Sequence, residues 1–303
     1  MRSTPQKRVI TIAVVLLVLF ALSIFIFLAS QKGYVSNLFL SDSEQTPPIQ
    51  TKEVVVPNYK TIGLSVEGRK IEAYTYGSGS THIAFVGGMH GGYEWNTVLL
   101  AYKLIDYLNA NPKTVPPYLT VTIVPDANPD GMFKVIGKEG RFAITDVPKD
   151  DALKVSGRFN AHKVDLNRNF DCKWQAESTW RDTPVSAGIY PFSEPESTAI
   201  RNFVFGNKFR SVIFWHSQSG SVYASDCENG ILPETLSIMN IYAKASGYSA
   251  VKSFDAYPVT GDSEGWLAKI GIPAITVELK THDSVEWEQN LAGAKALFAY
   301  YGK

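Results

Sequence analysis

Apolar residues along the chain follow two alternating patterns. Short runs rich in β-branched and aromatic residues, bounded by Gly or Pro, indicate buried strands. Longer segments carry apolar residues at helical spacing, which favours helices that cover a sheet with one face. The predicted strands are 82–86, 119–124, 210–215 and 274–278, and the predicted helices are 97–108, 193–205, 233–246 and 285–301. The alternation predicts an α/β fold with helices covering a central sheet.

The longest apolar run lies near the N terminus. Residues 9–29 are interrupted only by Thr11 and Ser23, and a helix of this length spans a hydrocarbon core of roughly 30 Å. Basic residues and no acids precede the run, so residues 1–8 are predicted to stay in the cytoplasm and the rest to be exported. A cleaved signal peptide, giving a secreted protein, is the alternative. We favour a single-pass membrane anchor because a clear small-x-small cleavage site is lacking.

A polar segment separates this run from the rest of the chain. Residues 30–56 carry the sequence SDSEQTPP at their centre and show no apolar periodicity, which is typical of a linker. Residues 57–303 are then predicted to form one domain, whose length is within the range of a single α/β unit.

Composition narrows the classes of function. The chain has 303 residues, of which 45% are hydrophobic, so it can bury a large core. Its 29 basic and 29 acidic residues balance, and nothing indicates a nucleic-acid partner. The two cysteines, Cys172 and Cys227, both lie in the exported part, where a disulfide is allowed. An even count favours one bridge over two free thiols.

Three side chains in two segments suggest a metal site. The segment GGMHGGYEW at residues 87–95 places His90 and Glu94 after a predicted strand, at the edge where α/β sheets build their sites. His216 directly follows another apolar strand. Catalytic zinc takes three nitrogen or oxygen ligands and leaves a fourth place for water, so these residues are predicted to bind one Zn²⁺. The remaining histidines lack a paired ligand at metal spacing and are predicted to be surface or hydrogen-bonded residues: His82, His162 and His282.

The order of these and further motifs resembles that of the zinc carboxypeptidases, the carboxypeptidase A-like metallopeptidases, over nearly all of residues 60–303. The sequences NPDG at 128–131, VDLNRNF at 164–170 and ELK at 278–280 fall in family order. Relatives commonly have two residues between the first His and the Glu, whereas three residues separate His90 from Glu94. Glycines tolerate unusual backbone angles, so the extra residue could bulge out while both side chains still reach one ion. The resemblance implies a central mixed, mostly parallel sheet flanked by helices on both faces, preceded here by one N-terminal transmembrane helix.

The resemblance also implies roles for the motif residues. Asn167 and Arg168 would bind a C-terminal carboxylate, since a guanidinium group pairs bidentately with a carboxylate. Arg158 would polarise the scissile carbonyl and stabilise the oxyanion, with Arg141 as a rival for this role. Glu278, which ends a strand in the sequence ITVE, would be the general base.

A second part of the resemblance concerns the substrate's terminal residue. In the segment YPVTGDSEGW, Tyr257 resembles the mobile tyrosine that closes over the substrate's terminus. Asp262 and Glu264 fall where relatives place residues that select the terminal side chain. Acids at these positions would favour a cationic or amine-bearing terminal residue.

The function expected from these features is that of a metallocarboxypeptidase. Water activated by zinc would attack a C-terminal peptide bond, with Glu278 acting as base and then acid. The predicted location favours a peptide or peptidoglycan-peptide substrate with a basic or diamino-acid terminus, and we expect a monomer. The alternatives are a zinc amidase, deacylase or peptidoglycan endopeptidase on the same scaffold, and an inactive surface-binding module. A serine hydrolase is disfavoured because no Gly-x-Ser-x-Gly motif occurs.

Overall fold

A computed structural model describes residues 17–30 and 58–302, which belong to two separate compact units. Residues 17–30 are helical. No helix within these two segments is both long enough and apolar enough to cross a membrane. The first part of the predicted anchor, residues 9–16, and nearly all of the predicted linker at 30–56 lie outside the described residues.

Ten strands form two sheets in residues 58–302. The strands are β1 (Asn58–Leu64), β2 (Lys70–Gly77), β3 (Thr81–Val86), β4 (Leu119–Val124), β5 (Glu177–Trp180), β6 (Thr183–Ser186), β7 (Ser211–Ser217), β8 (Ser221–Ala224), β9 (Ser249–Val251) and β10 (Ala274–Leu279). The four strands predicted from apolar runs are β3, β4, β7 and β10. These four are adjacent and mostly buried along their length, as expected for strands covered on both faces.

Seven α-helices accompany these strands within the described domain. They are α1 (Trp95–Ala110), α2 (Pro129–Ile136), α3 (Asp151–Ser156), α4 (Pro195–Asn207), α5 (Pro233–Ser246), α6 (Ser263–Lys269) and α7 (Trp287–Tyr301). The four predicted helices are α1, α4, α5 and α7. The NPDG sequence begins α2, because the Asn128 side chain accepts a hydrogen bond from the Gly131 amide and Pro129 occupies the first helical position.

The large sheet has the order β1-β2-β4-β3-β7-β10-β8-β9. Pairing is parallel at its centre, where β4, β3, β7 and β10 lie side by side, and antiparallel where β2 meets β4 and where β8 meets β10. The predicted mixed, mostly parallel sheet is confirmed. Since the central strands are parallel, their carboxyl ends meet at one edge, which carries both His216 and Glu278.

Each face of the sheet is covered by its own hydrophobic core. On one face, residues of α1, α5 and α7 pack against Phe85 and Trp215, whose rings stack at 5.0 Å between centroids. On the other face, α4 and α6 pack against Ala84 and Phe214. Helices therefore cover both faces, as predicted, and the rigid sheet between them supports the edge on which the candidate site lies.

Cys172 and Cys227 are joined by a disulfide with a Cα–Cα distance of 6.1 Å. The bridge ties the segment after the VDLNRNF motif to the segment after β8. Both cysteines are buried, and Cys172 also borders the cavity described below. The bridge is therefore part of the wall of that cavity.

Candidate metal centre and active site

Two histidines and a glutamate converge at the carboxyl edge of the sheet. Nδ1 of His90 lies 2.8 Å from Oε1 of Glu94, and Nδ1 of His216 lies 3.0 Å from Oε2 of the same carboxylate. The two Nδ1 atoms are 3.2 Å apart. All three side chains are buried. The structure thus brings the predicted ligand set together from β7 and from the loop after β3.

A single helical turn accommodates the wide spacing between His90 and Glu94. Residues Gly91–Glu94 form a 3₁₀ helix, which carries Glu94 back toward the His90 ring. Gly91 has φ of 45°, and a Cβ there would lie 2.7 Å from the carbonyl oxygen of Gly157. Only glycine fits this backbone conformation and close approach, so the extra residue is absorbed by the loop.

The electrostatics of this cluster suit a bound cation. Burial alone would raise the pKa of Glu94, but the adjacent His90 and His216 lower it below its ordinary value. Burial likewise opposes the charged form of His216, yet Glu94 and Glu264 raise its pKa well above the ordinary value. Two imidazole nitrogens 3.2 Å apart and facing one carboxylate are the donor set that zinc prefers. The residues therefore fit one Zn²⁺.

Two further carboxylates lie behind the histidines. Oδ1 of Asp165 is 3.4 Å from Nε2 of His90, and Oε1 of Glu264 is 3.2 Å from Nε2 of His216. Such outer carboxylates fix the orientation of metal-binding imidazoles and raise their basicity. Asp165 also forms a buried ion pair with Arg158, whose Nη2 lies 2.8 Å away.

Glu264, predicted to select the substrate's side chain, also contacts a candidate metal ligand. Glu264 borders the cavity, but Thr276 donates a hydrogen bond to Oε1 and Ser263 donates one to Oε2. With both oxygens engaged and His216 beside it, this carboxylate supports a candidate metal ligand. Sequence alone could not show which way the side chain turns at the start of α6.

The parallel register of β7 and β10 places Glu278 directly opposite His216. Side chains of residues paired in this way project from the same face, so Glu278 lies beside the candidate metal site. The residue is partly exposed, but its Oε2 atom is buried and has no hydrogen-bond partner among the described residues. Burial, together with the charge of Glu94, raises the pKa of Glu278 to about 8. A carboxyl group with this pKa is suited to accept and return a proton near neutral pH.

A cavity of about 290 Å³ adjoins the metal cluster and Glu278. Arg158 lines it, with its guanidinium group 4.5 Å from the Trp180 ring centroid. The rival arginine, Arg141, is bound to Asp106 and does not line this cavity. The structure therefore brings Arg158, and not Arg141, to the candidate site.

Asn167 and Arg168 line the same cavity from the segment after Asp165. The Arg168 side chain is held by its own hydrogen bonds, from Nε to the Thr179 carbonyl and from Nη1 to the Asn167 carbonyl. Oδ1 of Asn167 accepts a hydrogen bond from the Ser263 amide at 2.9 Å. These bonds fix a guanidinium group in the cavity wall in one orientation, as carboxylate recognition requires.

Tyr257 and Asp262 complete the cavity on the side of the loop before α6. The Tyr257 ring packs edge-on against Phe254 with centroids 4.8 Å apart. One oxygen of Asp262 caps α6 by accepting a hydrogen bond from the Gly265 amide. Burial and the nearby Glu264 raise the pKa of Asp262 to about 6. At neutral pH this group still supplies a negative charge to the cavity wall.

Comparison with known proteins identifies the family to which this fold and ligand set belong. The family model described as zinc carboxypeptidase matches residues 49–291. The chain belongs to the zinc carboxypeptidase family. It is a hydrolase, and membership confirms the predicted Zn²⁺ cofactor, for which His90, Glu94 and His216 form the candidate site.

Two curated proteins are similar to parts of this chain. The chain is 30% identical over 246 residues to gamma-D-glutamyl-L-diamino acid endopeptidase 1 of Lysinibacillus sphaericus, covering 72% of this chain and 59% of that protein. It is 28% identical over 159 residues to murein peptide amidase A of Escherichia coli K12, covering 49% of this chain and 60% of that protein. Each match thus spans about three fifths of the relative's length.

Solved structures show the same fold at lower sequence identity. The murein-tripeptide amidase of Escherichia coli O157 has a TM-score of 0.58 and 20% identity, covering 82% of this chain and 95% of that one. Bovine thrombin-activatable fibrinolysis inhibitor has a TM-score of 0.64 and 20% identity, covering 82% and 89%. These similarities support the fold.

One residue beside the candidate metal ligands was not identified from the sequence. No role was predicted for Asp165, which directly precedes the 3₁₀ helix Leu166–Arg168 and whose carboxylate lies beside Nε2 of His90. His282, predicted to be a surface or hydrogen-bonded residue, is hydrogen-bonded. In the structure its Nδ1 lies 2.7 Å from Oγ of Ser217, and its ring centroid is 4.5 Å from that of Tyr93.

Proposed function

We propose that this zinc carboxypeptidase family member removes C-terminal residues from peptides, with a preference for basic or diamino-acid termini such as those of cell-wall peptides. One observation carries the proposal. A single cavity is lined by the candidate metal ligands His90 and His216, by Arg158 and Arg168, and by Glu278, whose Oε2 atom has no hydrogen-bond partner among the described residues. These groups can act on a peptide bond and hold a free carboxylate at the same time.

Each side chain has a distinct task in the proposed reaction. When bound, Zn²⁺ supplies a Lewis acid that polarises the scissile carbonyl and activates water. Glu278 accepts the proton of the attacking water and returns it to the departing amine. Arg158, fixed by Asp165 and stacked on Trp180, places a positive charge where negative charge develops on the carbonyl oxygen.

The other cavity residues would recognise the terminal residue. Arg168 and Asn167 bind its free carboxylate, and Tyr257 covers it from the loop before α6. Asp262 supplies a negative charge for an amine on the terminal side chain. Support for the substrate class comes from relatives whose names specify a γ-D-glutamyl-L-diamino acid bond and a murein peptide.

The same names favour one second candidate, an endopeptidase or amidase that cleaves peptidoglycan peptides without requiring a free terminal carboxylate. The cavity is compatible with this activity because the metal ligands and Glu278 would serve it equally well. The two activities differ in whether Arg168 binds a substrate carboxylate.

We also propose that residues 9–29 anchor the domain to the outer side of the cytoplasmic membrane and that it acts as a monomer. The described part of this run is helical and exposes large apolar side chains, among them Phe25 at 73%. The Cys172–Cys227 disulfide supports an oxidising compartment. Membrane fractionation and protease accessibility in intact cells, with light scattering of the purified chain, test these points. Recovery of the full-length chain in the soluble fraction would contradict the anchor.

The activity is tested with the full chain, purified in detergent and loaded with zinc. Paired peptides that end in lysine as a free acid or as a carboxamide are incubated with the protein, and products are identified by mass spectrometry. We expect release of the last residue from the free acid at a rate about 100-fold higher than from the amide, because the amide leaves Arg168 without its carboxylate. Glu278→Gln, which keeps the side-chain shape, should lower kcat by about 100-fold or more.

The alternatives give different products. Equal cleavage of the acid and the amide would support the endopeptidase, and release of an N-terminal acyl group would support the amidase or deacylase. Stoichiometric zinc with no hydrolysis of any peptide would support an inactive binding module.

A further inference from the structure

His282 is a partly exposed histidine that has no task in the proposed reaction. It lies on the loop after β10, and its ring centroid is 4.5 Å from that of Tyr93, the residue before the candidate ligand Glu94. Its Nδ1 atom lies 2.7 Å from Oγ of Ser217, the residue after the candidate ligand His216. Its Nε2 atom is buried and has no hydrogen-bond partner in the described part of the chain. A buried polar atom without a partner costs free energy unless a ligand or water completes it.

Asn96 fixes the direction of the hydrogen bonds that lead to His282. It is fully buried in the first turn of α1, and its Nδ2 atom lies 2.8 Å from the Thr281 carbonyl oxygen and 2.9 Å from the Ser284 carbonyl oxygen. Only the amide nitrogen can donate to these two acceptors, so Oδ1 of Asn96 faces the other way, where Oγ of Ser217 lies 3.1 Å from it. The Ser217 hydroxyl therefore donates its single proton to Asn96.

This assignment determines the tautomer of His282. Because the Ser217 proton is directed to Asn96, the 2.7 Å contact with His282 is a hydrogen bond only if Nδ1 carries a proton and donates it to the hydroxyl oxygen. Burial lowers the pKa of His282 below its ordinary value, so the neutral ring predominates at neutral pH. A neutral imidazole that is protonated at Nδ1 has a lone pair at Nε2. Nε2 of His282 is thus held as a hydrogen-bond acceptor and cannot donate.

His282 and Tyr93 adjoin the candidate metal ligands but do not line the cavity that would hold the terminal residue. Arg158 does line that cavity, and its guanidinium carbon is also 5.8 Å from the Tyr93 ring centroid. The Tyr93 ring packs edge-on against Trp180, which is partly exposed, with centroids 5.1 Å apart. These contacts continue the site from Arg158 toward solvent. Since the cavity takes the released residue, the part of the substrate before the scissile carbonyl leaves along this side of the metal ligands.

We infer that Asn96 and Ser217 hold His282 as a hydrogen-bond acceptor for one amide N–H of the substrate on the acyl side of the scissile bond. His282 contacts the substrate, whereas Asn96 and Ser217 are positioning residues that act through its ring. The inference rests on the proposed function, because that function assigns the cavity to the terminal residue. It extends recognition from the released residue to the peptide backbone that precedes it.

Nitrogen-15 NMR of the zinc-loaded full chain, labelled only at histidine, tests the tautomer without any substrate. The His282 signals are identified by their loss in His282→Phe. In neutral buffer we expect a protonated Nδ1 and a bare Nε2. Ser217→Ala removes the acceptor of the Nδ1 proton and should give a mixture of the two tautomers. A wild-type His282 ring protonated at Nε2 would overturn the inference, because that nitrogen would then be a donor.

Three peptides test the contact with the substrate. They are N-acetyl-alanyl-alanyl-lysine and two analogues in which the N–H of one alanine or the other is replaced by an ester oxygen, which removes the donor and keeps the chain shape. Release of lysine is measured by mass spectrometry. In the wild type, one analogue should be cleaved with a kcat/KM about tenfold below that of the parent. In His282→Phe, which keeps a ring beside Tyr93 but has no acceptor, this difference should disappear.

Two further variants separate the acceptor from the ring. His282→Gln can place an amide oxygen near the position of Nε2 and should keep the difference between the peptides. His282→Asn retains only a donor to Ser217 and should lose it. His82→Phe is the matched control, because His82 is also partly exposed but lies near the amino end of β3, at the opposite edge of the sheet. Its substitution should leave all three rates unchanged.

Several outcomes would overturn the role of His282. Equal kcat/KM for the three peptides in the wild type, or the same difference in the wild type and His282→Phe, would contradict it while leaving release of the terminal residue intact. Failure to release lysine from any of the peptides would overturn the proposed function instead. In that case calorimetry with N-acetyl-alanyl-alanine decides. Binding weakened about tenfold by His282→Phe supports the contact, and unaltered or absent binding refutes it.

Discussion

Replacing Glu278 with Gln tests the environment of the proposed base without any assay of activity. Burial and the charge of Glu94 raise the pKa of Glu278 from 4.5 to about 8 in the folded protein. A carboxyl whose pKa is raised on folding stabilises the protein fully below its unfolded pKa, and this contribution is lost as the pH rises through the folded pKa. Glu278→Gln resembles the protonated acid and should not lose stability in this way.

The magnitude follows from the two pKa values. Below pH 4 the metal-free wild type and variant should have similar free energies of unfolding. Between pH 4.5 and 8 the free energy of unfolding of the variant should rise relative to that of the wild type by about 1.4 kcal/mol per pH unit. The reason is that the Glu278 carboxyl is ionised in the unfolded wild type and protonated in the folded one. The difference should reach about 3 kcal/mol at pH 7 and level off at up to about 5 kcal/mol above pH 8.

Urea denaturation of chelator-treated protein at several pH values measures this difference. Glu177→Gln is the matched control, because its carboxylate lies exposed on β5 and does not line the cavity. Adding zinc should shrink the Glu278→Gln difference, since a cation in the site favours the ionised carboxylate. A difference that is constant from pH 4 to 9, or a wild type that becomes the more stable form at high pH, would refute the reasoning.

Three further substitutions separate the roles of the surrounding charges. Asp165→Asn should weaken zinc binding about 10- to 100-fold in chelator competition, because it removes the carboxylate beside Nε2 of His90; unaltered affinity would contradict its orienting role. Glu264→Gln should weaken zinc binding by a similar factor and leave the order of preference among terminal residues unchanged. An altered preference with intact zinc affinity would show that Glu264 selects the substrate's side chain. Arg158→Lys should lower kcat about 100-fold with little change in KM, because a lysine cannot keep both the Asp165 ion pair and the position beside the carbonyl oxygen. A change in KM alone would show that Arg158 acts in substrate binding.

Much of the fold was predictable because its central strands are buried on both faces. Such strands appear as continuous β-branched or aromatic runs, so β3, β4, β7 and β10 and the four long helices were located within two residues of their observed ends. The outer strands of the large sheet, β1, β2, β8 and β9, and the two strands of the small sheet, β5 and β6, were not predicted. They are short or half-exposed, and their pairing with the sheet depends on tertiary contacts that leave little periodicity in the sequence.

The ligand set was predictable for a related reason. His216 and Glu278 lie at the ends of buried strands, and His90 and Glu94 lie on a glycine-rich loop after another buried strand. Locating the strand ends in the sequence therefore identified these residues. Side-chain direction was not predictable. Glu264 lies within two residues of Asp262, yet one carboxylate turns to His216 and the other caps α6 at the cavity wall. The membrane anchor, the substrate and the oligomeric state stay predictions.

The pairing of Glu278 with His216 across β7 and β10 separates the parts of the protein that carry the reaction from those that carry substrate preference. Backbone hydrogen bonds of the sheet set the distance between the proposed base and a metal ligand. The cavity is also lined by Lys173, Asp226 and Asp262, which lie on loops joined to one another by the disulfide and by Gly261. Loops of this kind can be exchanged as one unit. Transplanting residues 171–173, 225–228 and 257–262 into another protein of the same fold should move terminal-residue preference while the recipient keeps its own reaction rate.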